Sequence, residues 1–416
     1  MKNLKGACIY GQSGGPTAVI NASACGVFQE ALKQELITKV YGASHGIKGI
    51  LEENLYDINQ EDPAQIELLK STPAASMGSV RYKLNDYAFD DTDYYRLLGV
   101  FKKYDIRYFF YNGGNDSMDT CNKVSKFLQD VGYACNVIGV PKTIDNDLAA
   151  TDHCPGYSSA AKYVATTITE VYHDMDVYDT GTVCIIEIMG RNAGWLTAAS
   201  ALAHVNGEHG PDLIYLPEVP FDMEKFVKDV RRAAANNKDK VLVCVSEGLH
   251  DKDGAYVSDY FATGGKQDSF GHAQLGGLAD VLERVVKQEI GFKVRAIELS
   301  LMQRCASHIA SGRDIEEAYN VGKTAVQAAC KGLTDKMVVM ERAKKSEYEI
   351  EYKLADVALG ANTEKTLPIE WINKEQNGIT KEFIDYALPL IQGDPKVLYV
   401  NGLPVHAKLK KILVKK

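Results

Sequence analysis

Short apolar runs alternate along this chain with longer stretches in which apolar residues recur at helical spacing. The runs that predict buried strands of a parallel sheet are residues 6–10, 106–111, 137–140, 183–188 and 240–245. The stretches that predict helices are residues 18–34, 117–130, 158–173 and 222–237. Alternation of strands and helices over this length predicts an α/β protein built on doubly wound parallel sheets.

The alternation changes character twice and so predicts three parts of the chain. We expect an N-terminal domain at residues 1–157, completed by residues 304–332, and a second domain at residues 158–303. Residues 333–416 are predicted to form a C-terminal extension, because the regular alternation of strands and helices stops there. Each predicted domain has a size at which a hydrophobic core can form.

Three smaller features lie inside these parts. A glycine-containing loop at residues 263–265 is predicted to be mobile. Residues 337–341 and 348–352 predict strands in the C-terminal extension. The basic end of the chain, residues 408–416, predicts a solvated surface, and we assign no chemistry to it.

The composition is that of a soluble globular protein. Hydrophobic residues make up 45% of the 416 residues, and the net charge of −8 argues against a general nucleic-acid surface. No apolar run reaches the length of a membrane helix, and the first predicted strand begins too early for a signal peptide. The nine cysteines lack Cys-x-x-Cys spacing, which predicts packed, reduced thiols. We therefore expect a cytoplasmic protein that binds neither nucleic acid nor membranes.

A cluster of functional side chains directly follows the apolar run at residues 137–140. Lys142, Thr143, Asp145 and Asp147 lie just past the carboxyl end of a predicted strand, where open α/β sheets bind their ligands. Asp145 could accept a proton from a hydroxyl, and Asp147 could hold a divalent cation or orient its neighbour. Taken alone, the segment is better explained as a strand-to-loop turn rich in Asp and Asn.

Two glycine turns follow other predicted strands of the same half of the chain. Gly14 and Gly15 come after the first strand, and residues 113–117 come after the strand at 106–111, each before a helix. Backbone N–H groups at a helix N-terminus favour anions, although glycine turns are common without this role. Arg81 and Arg191 are further cations on loops and could pair with phosphates, or be solvated. Convergence of these loops on one cleft is what favours a binding site.

Taken together, these segments resemble the phosphofructokinase family. The motifs that carry the resemblance are, in the family's order, Ser13-Gly14-Gly15, Gly78-Ser79-Val80-Arg81, Gly113 to Ser117, Thr143-Ile144-Asp145-Asn146-Asp147, Met189-Gly190-Arg191, Pro217-Glu218-Val219, Glu247 and Gln303-Arg304. The resemblance implies two doubly wound, Rossmann-like αβα domains with the active site in the cleft between them, plus the C-terminal extension. It also implies phosphoryl transfer to the 1-hydroxyl of fructose 6-phosphate.

The resemblance extends to the pyrophosphate-dependent branch of the family. The ATP-dependent branch has glycine where this chain has Asp116 and Lys142. A carboxylate at position 116 would repel the α-phosphate of a nucleotide, and Lys142 would supply a point charge to inorganic pyrophosphate. Departures from the family pattern include Asn115, which replaces the usual aspartate, and Leu301, which replaces a histidine or tyrosine. The segment after the first glycine pair, Pro16 to Asn21, also differs, and Thr182 stands where the bacterial ATP-dependent enzyme has an arginine.

Site roles are carried over from the family onto the matching residues. The implied pyrophosphate-binding residues are Gly14, Gly15, Arg81, Asp116, Ser117 and Lys142. The implied catalytic residues are Asp145 as the base, with Lys142, Thr143 and Asp147. The implied sugar-phosphate ligands are Thr143, Ile144, Asp145, Met189, Gly190, Arg191, Glu247, Arg295, Leu301, Gln303 and Arg304. Asn115 and Asp147 are the implied Mg²⁺ ligands, with Asp116 and Lys142 selecting the donor.

The resemblance also implies a reversible reaction of fructose 6-phosphate with pyrophosphate and a homodimer or homotetramer, in which cations of a neighbouring subunit complete the sugar-phosphate site. One alternative is the same transfer with ATP as the donor. A second is a non-catalytic, sugar-phosphate-binding regulatory subunit, which Asn115 keeps open because an amide lacks the charge of the usual metal ligand. A broader substrate range, such as sedoheptulose 7-phosphate, is a third.

Overall fold

The computed structural model describes residues 4–261, 277–345, 347–361 and 363–415. The strands are β1 (Gly6–Gln12), β2 (Ile37–Ala43), β3 (Leu55–Asp57), β4 (Ile106–Gly113), β5 (Asn136–Pro141), β6 (Thr182–Ile188), β7 (Leu213–Tyr215), β8 (Lys240–Ser246), β9 (Lys293–Glu298), β10 (Lys336–Arg342), β11 (Ile350–Asp356), β12 (Tyr399–Val400) and β13 (Leu403–Pro404). The helices are α1 (Ile20–Ala31), α2 (Gly46–Leu51), α3 (Pro63–Leu68), α4 (Thr92–Lys103), α5 (Asn115–Asp130), α6 (Tyr157–Asp176), α7 (Trp195–Ala198), α8 (Met223–Asn236), α9 (Leu278–Glu289), α10 (Met302–Cys305), α11 (Gly312–Cys330) and α12 (Lys381–Ala387). The loop predicted to be mobile, residues 263–265, lies outside the described residues.

The first sheet has seven strands in the order β11-β10-β5-β4-β1-β2-β3. The five inner strands are parallel, and the edge strands β3 and β11 run antiparallel to their neighbours. The register places Gln12 of β1 beside Asn112 of β4, and Gly113 of β4 beside Pro141 of β5. The loops that follow β1, β4 and β5 therefore begin at one edge of one sheet.

Helices cover both faces of the first sheet, because its central strands are apolar on both sides. Helices α1 and α11 lie together on one face and approach each other closely at two glycines. A Cβ atom added at Gly26 would lie 2.0 Å from the carbonyl oxygen of Tyr319, and one at Gly322 would lie 2.1 Å from that of Ser23. Only glycine allows this crossing of the two helices.

The second sheet has four parallel strands in the order β7-β8-β6-β9. Ile188 at the end of β6 pairs with Ser246 of β8, and Glu187 pairs with Glu298 of β9. The loops after these strands therefore share one edge, as in the first sheet. The prediction of an α/β protein with parallel sheets is confirmed, and helix α6 begins the second half of the chain at Tyr157.

The segment after residue 332 contributes to both halves of the molecule. It supplies β10 and β11 to the first sheet. Further along, the carbonyl of Asn377 accepts from the N–H of Ile214 in the second sheet. The predicted solvated end is exposed for most of its length, but its backbone is also paired, since Val414 N–H donates to the carbonyl of Leu55 beside β3.

Two global predictions can be compared with the structure. All nine cysteines are free; seven are buried, Cys330 is half-buried and Cys305 is exposed. Within the described ranges, no helix has both the length and the apolar character needed to cross a membrane.

Candidate active site

The first glycine turn contacts two other loops and the start of α10. The hydroxyl of Ser79 donates to the carbonyl of Gly14 at 2.6 Å, and the Lys142 Nζ donates to the carbonyl of Gly15 at 2.5 Å. A Cβ atom added at Gly15 would lie 2.9 Å from Nη1 of Arg304. The turn is thus a meeting point of segments that are far apart along the chain.

Glycine at position 14 provides room and a backbone conformation that few other residues adopt. Its φ is +76°, and an added Cβ would lie 3.5 Å from the Lys142 Nζ. The N–H of Gly14, expected from the sequence to face a phosphate, donates instead to the carbonyl of Val80 at 3.2 Å. Glycine at position 14 therefore leaves open space beside the Lys142 ammonium.

The second glycine turn lies directly against the loop that follows β5. The N–H of Lys142 donates to the carbonyl of Gly113 at 2.9 Å, and helix α5 begins two residues later at Asn115. Asp116 lies in the first turn of α5, where a carboxylate is favoured by the helix dipole. The amide of Asn115 donates to Oδ2 of Asp147 at 2.9 Å. The second turn and the two-aspartate loop are thereby joined.

The loop with the two aspartates has a local hydrogen-bonded turn. The hydroxyl oxygen of Thr143 accepts from the N–H of Asp145 at 3.0 Å and lies 3.5 Å from Asp145 Oδ2. Asn146, between the aspartates, is fully buried and has a φ of +57°. This left-handed conformation, which Asn tolerates better than most residues, lies between the half-buried residues Asp145 and Asp147.

Burial and neighbouring charges shift the pKa values of three side chains in the cleft. Burial lowers the pKa of Lys142 to about 8, although Asp145 partly offsets this effect. Burial and the nearby Glu247 raise the pKa of Asp145 well above its usual range. Burial and Asp145 likewise raise the pKa of Asp147. A buried ammonium beside partly neutralised carboxylates is an arrangement typical of functional sites.

The oxygen atoms around Asp147 fit a hard divalent cation. Oδ1 of Asn115 and Oδ1 of Asp147 are buried, and neither has a hydrogen-bond partner among the described residues. Carboxylate and amide oxygens are the ligands that Mg²⁺ prefers, with water and phosphate oxygens filling the remaining positions. Within the described ranges no group of three or more His, Cys, Asp or Glu side chains is arranged to hold a metal. Any cation here therefore depends on the Asn115 amide or on the ligand itself.

The second half of the chain faces this loop with a set of ordered polar groups. Gln303 Oε1 accepts from the N–H of Met189 at 3.1 Å, and Glu247 Oε1 accepts from that of Gly190 at 3.2 Å. Nε of Arg191 is buried and has no hydrogen-bond partner among the described residues. Glu247 and Arg191 both act on the pKa of Asp145, in opposite directions. The two sheet edges therefore form one electrostatic site.

Comparisons with known proteins identify the family of this chain. The sequence model described as "Phosphofructokinase" matches residues 8–300. A protein of Xanthomonas campestris pv. campestris named pyrophosphate–fructose 6-phosphate 1-phosphotransferase is 46% identical over 417 residues, covering 99% of this chain and 98% of that protein. A protein of the same name from Halomonas elongata is 44% identical and covers 97% of this chain and 96% of its own length. The chain belongs to the phosphofructokinase family.

Solved structures of the family have the same fold. The crystal structure of pyrophosphate-dependent phosphofructokinase from Nitrosospira multiformis superposes with a TM-score of 0.89 at 40% identity, covering 99% of this chain and 98% of that one. The match extends over the C-terminal segment as well as the two sheets. The fold class expected from the resemblance is therefore confirmed.

Two further residues were expected in the sugar-phosphate site. Arg295 is in the middle of β9, where Nη1 pairs with a carboxylate oxygen of Asp174 at 3.2 Å and the guanidinium lies 6.0 Å from the ring centre of Tyr178. It borders a surface cavity of about 240 Å³ between β9 and the end of α6. Leu301 has 54% of its surface exposed. These contacts place Arg295 beside this cavity.

Other residues that hold the site in place were not expected from the sequence. The backbone N–H of Lys365 donates to the carbonyl of Asp147 at 2.7 Å, and the hydroxyl of Tyr386 accepts from the Asn146 amide at 2.9 Å. Glu364 accepts two hydrogen bonds from the amide of Asn192, next to Arg191. These residues come from the C-terminal segment, whose sequence carries no local motif. The one available signal was an asparagine between two aspartates, a residue type suited to a left-handed turn.

Proposed function

We propose that this protein transfers a phosphoryl group reversibly between pyrophosphate and the 1-hydroxyl of fructose 6-phosphate, giving fructose 1,6-bisphosphate and phosphate. Near-full-length similarity to proteins named for this reaction supports the proposal. The structural observation that carries it is Lys142, an ammonium group that is 3% exposed and held against the carbonyl of Gly15 in the cleft. A compact positive charge at this depth suits a small inorganic polyanion.

Asp145 is the proposed base for the sugar hydroxyl. Its raised pKa brings its proton affinity closer to that of a general base working near neutral pH. The hydrogen-bonded turn with Thr143 fixes the backbone that carries it. Because phosphoryl transfer depends mainly on alignment and charge stabilisation, a base fixed in this way contributes chiefly by orienting the attacking oxygen.

The leaving phosphate and the transferring phosphoryl group are assigned to the cationic side of the cleft. Lys142 and Arg304 both lie against the first glycine turn, and Arg81 acts on the pKa of each. Three like charges this close repel one another when no ligand is bound, so a polyanion binds with favourable electrostatics. The proposed pyrophosphate site therefore lies between Gly15, Lys142 and the start of α5.

Donor selectivity is assigned to Asp116 and Lys142. Asp116 is half-buried in the first turn of α5, at the position that glycine occupies in ATP-dependent family members. A carboxylate there repels the α-phosphate of a nucleotide, whereas pyrophosphate has no group that extends so far. We therefore propose that pyrophosphate, and not ATP, is the donor.

Mg²⁺ is the proposed metal, with Asn115 and Asp147 as its protein ligands. Both residues present a buried oxygen without a protein partner in the described structure, which is the observation that supports the fit. The cation would neutralise developing charge on the phosphate oxygens. Because one ligand is an amide, protein charge at the metal is lower than in a two-carboxylate site.

The sugar phosphate is assigned to the loops of the second half. Glu247 and Gln303 accept from backbone N–H groups of Gly190 and Met189, which fixes the loop that presents Arg191 toward the cleft. Arg295, in the middle of β9, contacts Asp174 and Tyr178 instead. We propose that it serves a neighbouring subunit in a homo-oligomer, since the cavity it borders opens on the surface.

The experiment is steady-state turnover of the purified protein with fructose 6-phosphate and Mg²⁺, with pyrophosphate or ATP as the only donor. Pyrophosphate should support turnover and ATP should not. Asp145→Asn keeps the shape of the base and should lower kcat about 10²-fold or more. Asp179→Asn serves as the matched control, because Asp179 is exposed and lies before β6, at the end of that strand opposite Arg191. Turnover with ATP alone contradicts the donor assignment. No turnover with either donor favours a regulatory subunit.

A further inference from the structure

Asn146 makes two hydrogen bonds whose direction is fixed by their partners. Its Oδ1 accepts from the N–H of Cys154 at 3.0 Å, and its Nδ2 donates to the hydroxyl of Tyr386 at 2.9 Å. The same hydroxyl donates its proton to the carbonyl of Asp152 at 2.9 Å, so toward Asn146 it can only accept. The amide of Asn146 therefore has one orientation in which every bond is made.

This fixed amide lies between the two aspartates of the proposed catalytic loop. Asn146 is fully buried with a φ of +57°, and the two carboxyl groups of the site are its immediate neighbours in sequence. A non-glycine residue in the left-handed region costs free energy and persists only where surrounding contacts hold it. The Tyr386 hydroxyl is one of the two contacts that hold the Asn146 side chain, and it belongs to α12 of the C-terminal segment.

Tyr386 is itself firmly placed. Its ring lies 5.4 Å from that of Trp195 and 5.3 Å from that of Trp371, measured between centres. The guanidinium of Arg342 lies 4.9 Å from the ring centre and donates to the Tyr386 carbonyl at 3.1 Å. Because Arg342 ends β10, which pairs with β5, the strand that leads into the catalytic loop and the tyrosine that supports the loop share one framework.

Lys365 supports the other side of the same loop. Its backbone N–H donates to the carbonyl of Asp147 at 2.7 Å, and its Nζ donates to the carbonyls of Thr151 and Asp152 at 3.0 and 2.8 Å. Lys365 and Tyr386, which we name the C-terminal clamp, thus make hydrogen bonds to Asn146, Asp147, Thr151 and Asp152. The mechanism proposed above uses neither of them.

We propose that Tyr386 is a positioning residue, which acts through Asn146 to hold Asp145 and Asp147 in the geometry required for phosphoryl transfer. Through the clamp, the C-terminal segment positions residues of the proposed active site in addition to packing against the two sheets. This inference rests on the proposed function for its kinetic consequence. Its structural consequence, a loop held by the tyrosine hydroxyl, is independent of which donor the enzyme uses.

The test compares Tyr386→Phe with Tyr133→Phe. Tyr133 is a matched control: it is also half-buried, its hydroxyl lies within 3.0 Å of two backbone carbonyls, and its ring is 4.7 Å from the guanidinium of Arg107. Loss of the Tyr386 hydroxyl should lower kcat about tenfold, with KM for fructose 6-phosphate changed less than about twofold. Tyr133→Phe should leave both constants at the parent values. Equal kcat in Tyr386→Phe and parent, or an equal loss in both variants, overturns the inference.

A double-mutant cycle tests whether Tyr386 acts through Asn146. Asn146→Gly removes both side-chain bonds yet still allows the positive φ. If the tyrosine works through this amide, the double variant should have the kcat of Asn146→Gly alone, because nothing remains for the hydroxyl to hold. Multiplicative losses in the double variant contradict that route.

Hydrogen exchange separates this inference from the function on which it rests. Peptides that contain residues 143–148 should exchange faster in Tyr386→Phe than in the parent or in Tyr133→Phe, since local opening becomes easier. This result is expected even if the parent uses ATP or shows no turnover, in which case the proposed function alone fails. Unchanged exchange of the loop in Tyr386→Phe overturns the positioning role whatever the activity.

Discussion

Replacing Lys142 with methionine should make the protein more stable and nearly inactive at the same time. The ammonium lies near two arginines, Arg304 and Arg81, and near the carboxylates of Asp145 and Asp147. Burial is the largest effect and lowers the pKa of Lys142 from 10.5 to about 8. Methionine has a similar length and no charge, so it fits the same space with little change in volume. The same charge that opposes folding of the ligand-free protein is the one proposed to bind pyrophosphate.

The magnitude follows from the altered pKa. A decrease from 10.5 to about 8 corresponds to roughly 3 kcal/mol of free energy that disfavours the charged form in the folded protein. The substitution also removes the hydrogen bond to the carbonyl of Gly15, a loss of about 1 kcal/mol. Lys142→Met should therefore increase the free energy of unfolding by about 2 kcal/mol near pH 7. Loss of a charge that acts on the transferring group should lower kcat/KM for pyrophosphate about 10²-fold or more.

The pH dependence gives the sign of the effect. Below pH 8, Lys142 is charged in both the folded and the unfolded protein. The buried charge therefore lowers the free energy of unfolding of the parent by its full amount in this pH range. Between pH 8 and 10.5 the unfolded state binds more protons, and the stability of the parent rises toward that of the variant. Urea unfolding of both proteins at pH 7 and at pH 10 measures this difference. A variant that is less stable than the parent at pH 7, or a difference that does not narrow at pH 10, refutes the reasoning.

Two other variants, one double and one single, test the donor assignment and an ion pair of the fold. Asp116→Gly combined with Lys142→Gly should open the site to ATP and lower pyrophosphate-dependent kcat/KM by about 10²-fold; continued rejection of ATP contradicts the steric and charge explanation. His153 is buried 2.9 Å from an oxygen of Asp152 and 2.8 Å from one of Glu317. Burial alone would lower the pKa of His153, but the two carboxylates outweigh it and raise the pKa to about 9. His153→Gln should destabilise the protein by about 3 kcal/mol below pH 6.5, with the difference from the parent shrinking as the pH rises through 9. A constant difference across that range contradicts the ion-pair assignment.

The sequence predicted the strands and the positions of the loops well, because both depend on local pattern. β1, β4 and β5 are apolar on both faces, so each stands out as a short uninterrupted run. In a parallel sheet the carboxyl ends of such strands share an edge, and this rule predicts that the two glycine turns lie beside Lys142. The contacts of Lys142 with Gly15 and Gly113 have that origin.

Contacts between distant segments could not be predicted from local pattern. Nothing in the residues around Tyr386 indicates that its hydroxyl meets Asn146, 240 positions earlier in the chain. Likewise, the N–H of Gly14 has the sequence context of a phosphate ligand, yet the carbonyl of Val80 accepts it. Arg295 matches the family pattern in sequence. Its contact with Asp174, however, depends on the last turn of α6 lying beside β9. Each of these depends on tertiary contacts that only the folded chain defines.

The claim on which the account depends is that an inorganic diphosphate gives its phosphoryl group directly to the sugar. The most direct measurement follows ³²P from labelled pyrophosphate into the sugar product, in the presence of Mg²⁺ and fructose 6-phosphate and without any nucleotide. The account predicts label at the 1-phosphate of fructose 1,6-bisphosphate, and recovery of labelled pyrophosphate when excess phosphate drives the reaction backwards. A sugar product that carries no label in this reaction, while a parallel reaction with γ-³²P-labelled ATP does label it, contradicts direct transfer from pyrophosphate.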